Sequence, residues 1–212
     1  MLIAKTLKSK VCTPVQFSYW LYRPARPKRH HSWPLVVFLH GAGERGNDLN
    51  SVKRHGPLKL VEQGENFPFL IAAPQCPQND WWFTSELDAW LSELLKQLPV
   101  DEKRIYLTGL SMGGFATWYW AIEHPERFAA IAPVCGGGEP FLVERIKDVP
   151  VWAFHGADDN VVPLRRTLEM VDALKKVGKN VRFTVYENTG HDSWTKAYNT
   201  PELYEWLLMQ NK

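Results

Sequence analysis

The sequence has few cysteines, and their arrangement excludes two kinds of small cross-linked protein. There are three, at positions 12, 76 and 135, an odd number with no paired spacing. A disulfide framework uses cysteines in pairs, and a structural zinc site uses closely spaced ligands, so the sequence predicts neither. Unpaired cysteines fit a reducing compartment, so we expect a cytoplasmic protein.

Long apolar runs and an excess of charge are also lacking. No run approaches the roughly 20 residues that a membrane-spanning helix needs. Residues 1–10 alternate apolar and polar side chains, which predicts a strand and not a secretory signal. A formal net charge of +2 is too small to indicate binding of nucleic acid or of an anionic membrane. The basic stretch at residues 23–34 is interpreted as a solvated loop.

Short apolar runs alternate with amphipathic stretches along most of the chain. The apolar runs lie at residues 35–39, 69–73, 105–107, 128–134 and 151–154, with a more strictly alternating run at 181–186. Runs that are apolar on both faces are typical of a buried parallel sheet, and the alternating run is typical of a strand nearer the edge. Between them, helical spacing places leucines 87, 91, 94 and 98 on one face, and Leu168, Val171 and Leu174 on another. The pattern predicts one α/β domain over residues 1–212, with a mostly parallel sheet and helices on both faces.

The main chemical signal is Gly-Leu-Ser-Met-Gly at residues 109–113. It follows a predicted strand and opens a predicted helix, which is the context of the Gly-x-Ser-x-Gly turn. In that turn the serine hydroxyl projects from the end of the sheet, and glycines leave room for the close backbone approach. We therefore predict Ser111 as a nucleophile.

A serine nucleophile needs a base, and the base needs an acid to orient it. Of the seven histidines, His191 directly follows the last predicted strand, at the same sheet edge as Ser111. Asp158 and Asp159 follow the preceding strand, and the residues alone do not separate them. The chain order Ser, Asp, His is that of the α/β-hydrolase arrangement. His40 and His155 end strands and are interpreted as buried turn residues, and His55 as a surface residue.

The glycine-dense loop at residues 39–48 leaves the end of another predicted strand. Small residues allow backbone N–H groups to approach a substrate oxygen, as an oxyanion hole requires. The same glycines also fit Gly-x-Gly-x-x-Gly, a phosphate-binding signature. No clear helix opens at Gly46, and Glu44 would repel a pyrophosphate, so we do not favour nucleotide binding.

Taken together, these motifs resemble the α/β-hydrolase superfamily, and within it the compact phospholipase/carboxylesterase and dienelactone-hydrolase-like esterases. The resemblance is carried by the 39–48 loop, Ala-Pro-Gln-Cys at 73–76, the 109–114 turn, the stretch at 155–163 and Gly-His-Asp-Ser-Trp at 190–194. It implies that Asp159, in its His-Gly-x-x-Asp-x-x-Val-Pro frame, is the acid. It also implies that the backbone N–H groups of Ala42 and Met112 form the oxyanion hole.

These residues predict a serine hydrolase that cleaves small-molecule carboxylic esters through an acyl-enzyme on Ser111, with Asp159 and His191 completing the triad and no metal or organic cofactor. The same groups would serve an acyl thioesterase or a peptidase-like amidase. A binding protein without catalysis on a hydrolase scaffold is a more distant alternative.

Residues 135–150, where this fold commonly carries a lid, have room for one short helix, so we expect no cap domain and an open site. Trp81, Trp82 and Trp194 lie in predicted loops at that edge. We expect Trp82 and Trp194 to contact substrate, with Glu44 as a polar contact.

Overall fold

The computed structural model describes residues 14–24, 32–178 and 181–212. The predicted strand at residues 1–10 lies outside this part of the chain, as does most of the basic stretch at 23–34. Within the described ranges, seven strands form one sheet in the order β1-β3-β2-β4-β5-β6-β7. The strands are β1 (Tyr19–Tyr22), β2 (Trp33–Leu39), β3 (Leu70–Pro74), β4 (Val100–Leu110), β5 (Ala130–Val134), β6 (Trp152–Gly156) and β7 (Arg182–Tyr186).

Helices cover both faces of this sheet. The α-helices are α1 (Gly56–Glu62), α2 (Thr84–Gln97), α3 (Met112–Glu123), α4 (Arg165–Lys176), α5 (Trp194–Tyr198) and α6 (Pro201–Met209). Short 3₁₀ turns occupy Ala42–Glu44, Leu49–Arg54, Pro125–Arg127 and Pro140–Ile146. Every strand pair is parallel except β1 with β3. The predicted α/β class, with a mostly parallel sheet and helices on both faces, is confirmed, and β7 is an edge strand as expected.

Alternate residues of the central strands supply two separate cores. Along β2, Leu35, Val37 and Leu39 face one layer, whereas Val36 and Phe38 face the other. The first layer packs against α2, α3 and α4, and the second against α1, α5 and α6. Because the strands are covered on both sides, their apolar runs are continuous and not alternating.

The carboxyl ends of the parallel strands meet at one edge of the sheet. His40 directly follows β2 and Ser111 directly follows β4. Asp159 lies three residues after β6, and His191 lies five residues after β7. The topology therefore collects side chains that are far apart in sequence at a single rim.

His40 joins the ends of two neighbouring strands. Its ring is fully buried, its Nε2 accepts the N–H of Cys76 at 3.0 Å, and its Nδ1 lies 2.6 Å from the carbonyl oxygen of Gly41. Since Nε2 accepts a hydrogen bond, the single ring proton is on Nδ1 and is donated to Gly41. Burial lowers the pKa of His40 to about 4, so the neutral ring is the folded form near neutral pH.

The segment where this fold commonly carries a lid is short. Residues 135–150 contain the 3₁₀ turn Pro140–Ile146, so the expectation of one short helix there is confirmed. In the described ranges, no helix combines the length and the hydropathy needed to cross a bilayer.

We predict that Gly113→Ala destabilises the protein by about 3 kcal/mol or more, because over-packing against backbone cannot be relieved by a rotamer change. A Cβ added at Gly113 would lie 2.0 Å from the carbonyl oxygen of Leu39. Urea denaturation measures the free energy of unfolding. Gly43→Ala is the matched control, because a Cβ at Gly43 meets nothing within 4 Å. Equal unfolding free energies for the two variants would contradict this account.

His40 should also make stability sensitive to acid. The unfolded chain binds a proton at this residue below its ordinary pKa of 6.5, whereas the folded chain resists protonation until about pH 4. The stabilisation that the neutral His40 ring gives the fold is therefore complete above pH 6.5. As pH falls toward 4 it is lost, which lowers the free energy of unfolding by about 3 kcal/mol in total. His40→Gln should be less stable than wild type at pH 8, and that gap should narrow on acidification. A gap that stays constant between pH 8 and 4 would count against a neutral buried ring.

Candidate active site

Ser111 sits in a strained turn between β4 and α3. Its φ of 51° and ψ of −115° lie in a region that non-glycine residues rarely occupy. The turn is possible because its flanking glycines allow close contact: a Cβ on Gly109 would lie 2.4 Å from the carbonyl oxygen of Gly113. This geometry projects the serine hydroxyl away from the sheet, as the Gly-x-Ser-x-Gly pattern predicts.

A continuous hydrogen-bonded chain joins Ser111, His191 and Asp159. The Oγ of Ser111 lies 2.9 Å from Nε2 of His191, and Nδ1 of His191 lies 2.7 Å from Oδ2 of Asp159. Asp159 is buried, whereas Asp158 is exposed and bonds through its backbone N–H to the carbonyl oxygen of Thr189. Of the two aspartates that the residues left open, the structure places Asp159 against the histidine.

The carboxylate of Asp159 is held by several donors. Burial by itself raises the pKa of this carboxyl, but hydrogen bonds from His191 and from the N–H groups of Val162 and Val161 outweigh it and keep the pKa below its usual value. The Nε2 of the buried His155 lies 3.2 Å from the same carboxylate oxygen. Asp159 is therefore ionised at neutral pH and can orient His191 and stabilise its charged form.

The two predicted oxyanion donors are the backbone N–H groups of Ala42, which follows β2, and of Met112, which follows Ser111. The N–H of Ser111 itself donates to the carbonyl oxygen of Val134 at 3.0 Å. Met112 is the first residue of α3, and N–H groups in the first turn of a helix have no acceptor within the helix. Within the described ranges, neither the N–H of Met112 nor the N–H of Ala42 donates to another protein atom.

The direction of the Ala42 N–H follows from its peptide plane. The carbonyl of Gly41 accepts from Nδ1 of His40, and in a trans peptide the following N–H points the opposite way. The Ala42 N–H is therefore turned away from the His40 ring. The structure thus brings together the three side chains of the predicted triad, and among the described residues it gives neither predicted oxyanion donor an acceptor.

Two of the predicted substrate contacts are not supported. Trp82 is only 3% exposed, and its indole N–H donates to the carbonyl oxygen of His40, so it belongs to the core. The sequence places Trp81 and Trp82 in one polar loop, and the exposed member of the pair is Trp81. Glu44 is 6% exposed and accepts the N–H of Gly41 at 3.0 Å, so its carboxylate faces the protein.

Trp194 is half-buried and its ring packs edge-on against His191, with centroids 5.1 Å apart. It also contacts His55, 5.4 Å away, which the sequence analysis interpreted as a surface residue. That interpretation holds only in part: the side chain is 30% exposed, but its Nδ1 is buried and its Nε2 lies 3.7 Å from Glu44. No local pattern around His55 indicates this; the contact is made by a residue 139 positions later in the chain.

Cys135, which the sequence analysis did not assign to the site, lies beside the triad. Its Sγ, a carboxylate oxygen of Asp159 and a ring nitrogen of His191 are within 4.8 Å of one another. Burial raises the pKa of Cys135 to about 12, so the thiol stays protonated and does not compete with Ser111 as a nucleophile. Its position directly after β5, at the same sheet edge, is the signal that could have found it.

Three known proteins illustrate what this chain is similar to. A thermostable esterase of known structure is 38% identical, with a TM-score of 0.83 over 94% of this chain and 60% of that one. A bifunctional acetylxylan esterase/xylanase of Neocallimastix patriciarum is 28% identical over 61% of this chain and 20% of its own length. An acyl-protein thioesterase 1 homolog of Dictyostelium discoideum is 32% identical over 50% of each chain.

The chain thus spans between a fifth and three fifths of the length of these relatives. The profile of the phospholipase/carboxylesterase family matches residues 82–200, which is more than half of the sequence. The α/β-hydrolase resemblance is confirmed, and the chain belongs to the phospholipase/carboxylesterase family.

Proposed function

We propose that this protein hydrolyses small-molecule carboxylic esters through a covalent acyl-enzyme on Ser111. The observation that carries the proposal is the hydrogen-bonded chain from Ser111 through His191 to Asp159, built on a strained turn. Strain at a position of this kind persists only where the surrounding structure holds it, and it is concentrated at functional sites. Within the described ranges, the N–H groups of Ala42 and Met112 have no protein acceptor, which supports the oxyanion hole that acyl transfer requires.

In the first step the Oγ of Ser111 attacks the ester carbonyl carbon while Nε2 of His191 takes the hydroxyl proton. The carboxylate of Asp159 stabilises the imidazolium that forms. The carbonyl electron pair moves onto oxygen, and the N–H groups of Met112 and Ala42 donate to that oxyanion. When the intermediate collapses, the C–O bond to the alcohol breaks and His191 returns its proton to the leaving oxygen.

In the second step water replaces the alcohol. His191 takes a proton from water, and the hydroxyl oxygen attacks the acyl carbon, giving a second oxyanion in the same place. Collapse breaks the bond to Ser111 Oγ, which regains its proton from His191, and the carboxylic acid leaves. The three side chains, the substrate and water account for every proton and electron pair, so the scheme uses no cofactor.

A thioester substrate is the second candidate, because one relative is named an acyl-protein thioesterase. The same nucleophile and donors serve both leaving groups. Oxygen and sulfur esters with the same acyl group distinguish the two functions through their kcat/KM values. The acetylxylan esterase name of another relative makes acetyl esters a suitable first acyl group to test.

Replacing Ser111 tests the nucleophile. We expect Ser111→Ala to lower kcat on p-nitrophenyl acetate by at least about 1000-fold, because removal of a serine nucleophile commonly has a larger effect than that. A fluorophosphonate probe should label wild type and not the variant. The control is Ser85→Ala, at an exposed position on α2, which should keep wild-type turnover. Turnover by Ser111→Ala above about one part in a hundred would refute the assignment.

The two adjacent aspartates offer an isosteric comparison. Asp159→Asn should lower kcat by about 1000- to 10,000-fold, because an amide favours the wrong tautomer of His191. Asp158→Asn should stay within about fivefold of wild type, because this side chain is exposed and outside the hydrogen-bonded chain. Both are measured by steady-state kinetics on one ester. A larger loss for Asp158→Asn would reverse the assignment.

A further inference from the structure

Glu44 does not face solvent, yet its carboxylate lies in the loop that carries a proposed oxyanion donor. We propose that Glu44 is a positioning residue that sets the Ala42 N–H toward the oxyanion, and that His55 and Trp194 extend the same restraint to His191. The inference rests on the proposed ester hydrolysis. It replaces the expectation that Glu44 contacts substrate.

Both backbone polar groups of Gly41 are held by hydrogen bonds. Its N–H donates to Oε2 of Glu44 at 3.0 Å, and its carbonyl oxygen accepts from His40 at 2.6 Å and from the N–H of Glu44 at 3.4 Å. Holding a residue at both ends leaves the Gly41–Ala42 peptide little freedom to rotate. Because the Ala42 N–H belongs to that peptide, its direction depends on Glu44 as well as on His40.

Glu44 is itself held from behind. The side-chain amide of Gln75 donates to the carbonyl oxygen of Glu44 at 2.9 Å and to that of Asp48 at 2.8 Å. The backbone of Glu44 is therefore held in place, and its carboxylate restrains Gly41 from a fixed position. Displacement of an oxyanion donor by a fraction of an ångström weakens transition-state binding more than substrate binding, since the charge develops only in the transition state.

A buried carboxylate needs partners, because burial of an unpaired charge is expensive. Among the described residues, His55 lies beside the other carboxylate oxygen, with its Nε2 3.7 Å from Oε1, which is longer than a hydrogen bond. The His55 ring in turn packs on Trp194, and Trp194 packs edge-on against His191. We call Glu44, His55 and Trp194 the Glu44 cluster; it runs from the oxyanion loop to the catalytic base.

Substrate contact and positioning give different kinetics. A side chain that binds substrate changes KM, and by different factors for different esters. A side chain that positions an oxyanion donor changes kcat by a similar factor for every ester and leaves KM nearly unchanged. The affinity for a trifluoromethyl ketone, which forms an oxyanion with Ser111, should fall in parallel with kcat.

The experiment compares Glu44→Gln with Glu44→Asp. Glutamine keeps the length and one acceptor oxygen for the Gly41 N–H, whereas aspartate keeps the charge and is one methylene too short. We expect Glu44→Gln to retain kcat within about fivefold and Glu44→Asp to lose about 30-fold or more, because loss of an oxyanion-hole donor lowers kcat by about 100- to 1000-fold. KM should change less than about threefold for both an alkyl and an aryl ester. The matched control is Glu62→Gln, an exposed glutamate on α1 that should match wild type.

Several results would overturn the positioning role. One is a kcat for Glu44→Asp equal to or above that of Glu44→Gln. Another is a change in KM alone, which would restore the substrate-contact interpretation. An affinity for the trifluoromethyl ketone that is unchanged in both variants would also refute the positioning role. Glu44→Asp leaves the buried Gly41 N–H without its acceptor, so its melting temperature should fall, whereas that of Glu44→Gln should stay close to wild type. Rates are therefore compared at a temperature at which circular dichroism shows both variants fully folded, and a kcat loss that disappears under that condition would show a merely structural role.

The link to His191 has its own test. If the Glu44 cluster acts as a unit, the losses in kcat from Glu44→Asp and Trp194→Leu should be non-additive in the double variant, which supports the link. Strictly multiplicative losses would refute it. Wild type serves as the reference for the proposed function: failure to hydrolyse esters or to react with a fluorophosphonate would refute ester hydrolysis itself. An active wild type with an unaffected Glu44 series would refute only the positioning role.

Discussion

A Cβ on Gly113 would lie 2.0 Å from the carbonyl oxygen of Leu39, so the first turn of α3 and the end of β2 are in direct backbone contact. The site is arranged around this contact. Met112 precedes Gly113 at the start of the helix, and Ala42 follows Leu39 by three residues. The two proposed oxyanion donors therefore lie on either side of one close approach between a helix and a strand. A side chain at position 113 would separate them as well as destabilise the fold.

Around this contact, hydrogen bonds between buried polar side chains and the backbone hold the site in place. His40 fixes the Gly41 carbonyl, Glu44 fixes the Gly41 N–H, and the N–H groups of Val161 and Val162 fix the Asp159 carboxylate. Each of these side chains is less than a tenth exposed, and each has hydrogen-bonding partners. In a region of low dielectric constant such bonds are strong, and leaving one unmade is costly. The site is thereby organised before substrate arrives, which is the condition for electrostatic stabilisation of a transition state.

Some of the tryptophans in the loops at the sheet edge are buried and others are exposed, and the sequence of the loops does not indicate which. Trp82 lies beneath His40, with ring centroids 4.8 Å apart, whereas Trp81 is 46% exposed. Trp194 is intermediate, since one side of its ring supports His191 and part of it remains exposed. An indole is large enough to serve the core and the rim together, so residue type alone is a weak guide to its role.

The sequence by itself determined the fold class and two members of the hydrogen-bonded chain, Ser111 and His191. Continuous apolar runs indicate strands covered on both faces, and the Gly-x-Ser-x-Gly turn and the histidine after the last strand are local patterns with a direct physical meaning. The choice of Asp159 over Asp158 needed more than composition, because both aspartates follow the same strand and only their side-chain directions differ.

Tertiary structure alone decided which side chains around Ser111 face inward. The environments of Glu44, His55, Trp82 and Cys135 each include a residue 30 or more positions away, such as Gln75 behind Glu44 and Trp194 beside His55. Local periodicity records which face of an element is apolar, but loops at a sheet edge have no such period. Their side chains take directions from the packing of several strand ends at once, and that packing exists only when the sheet has formed.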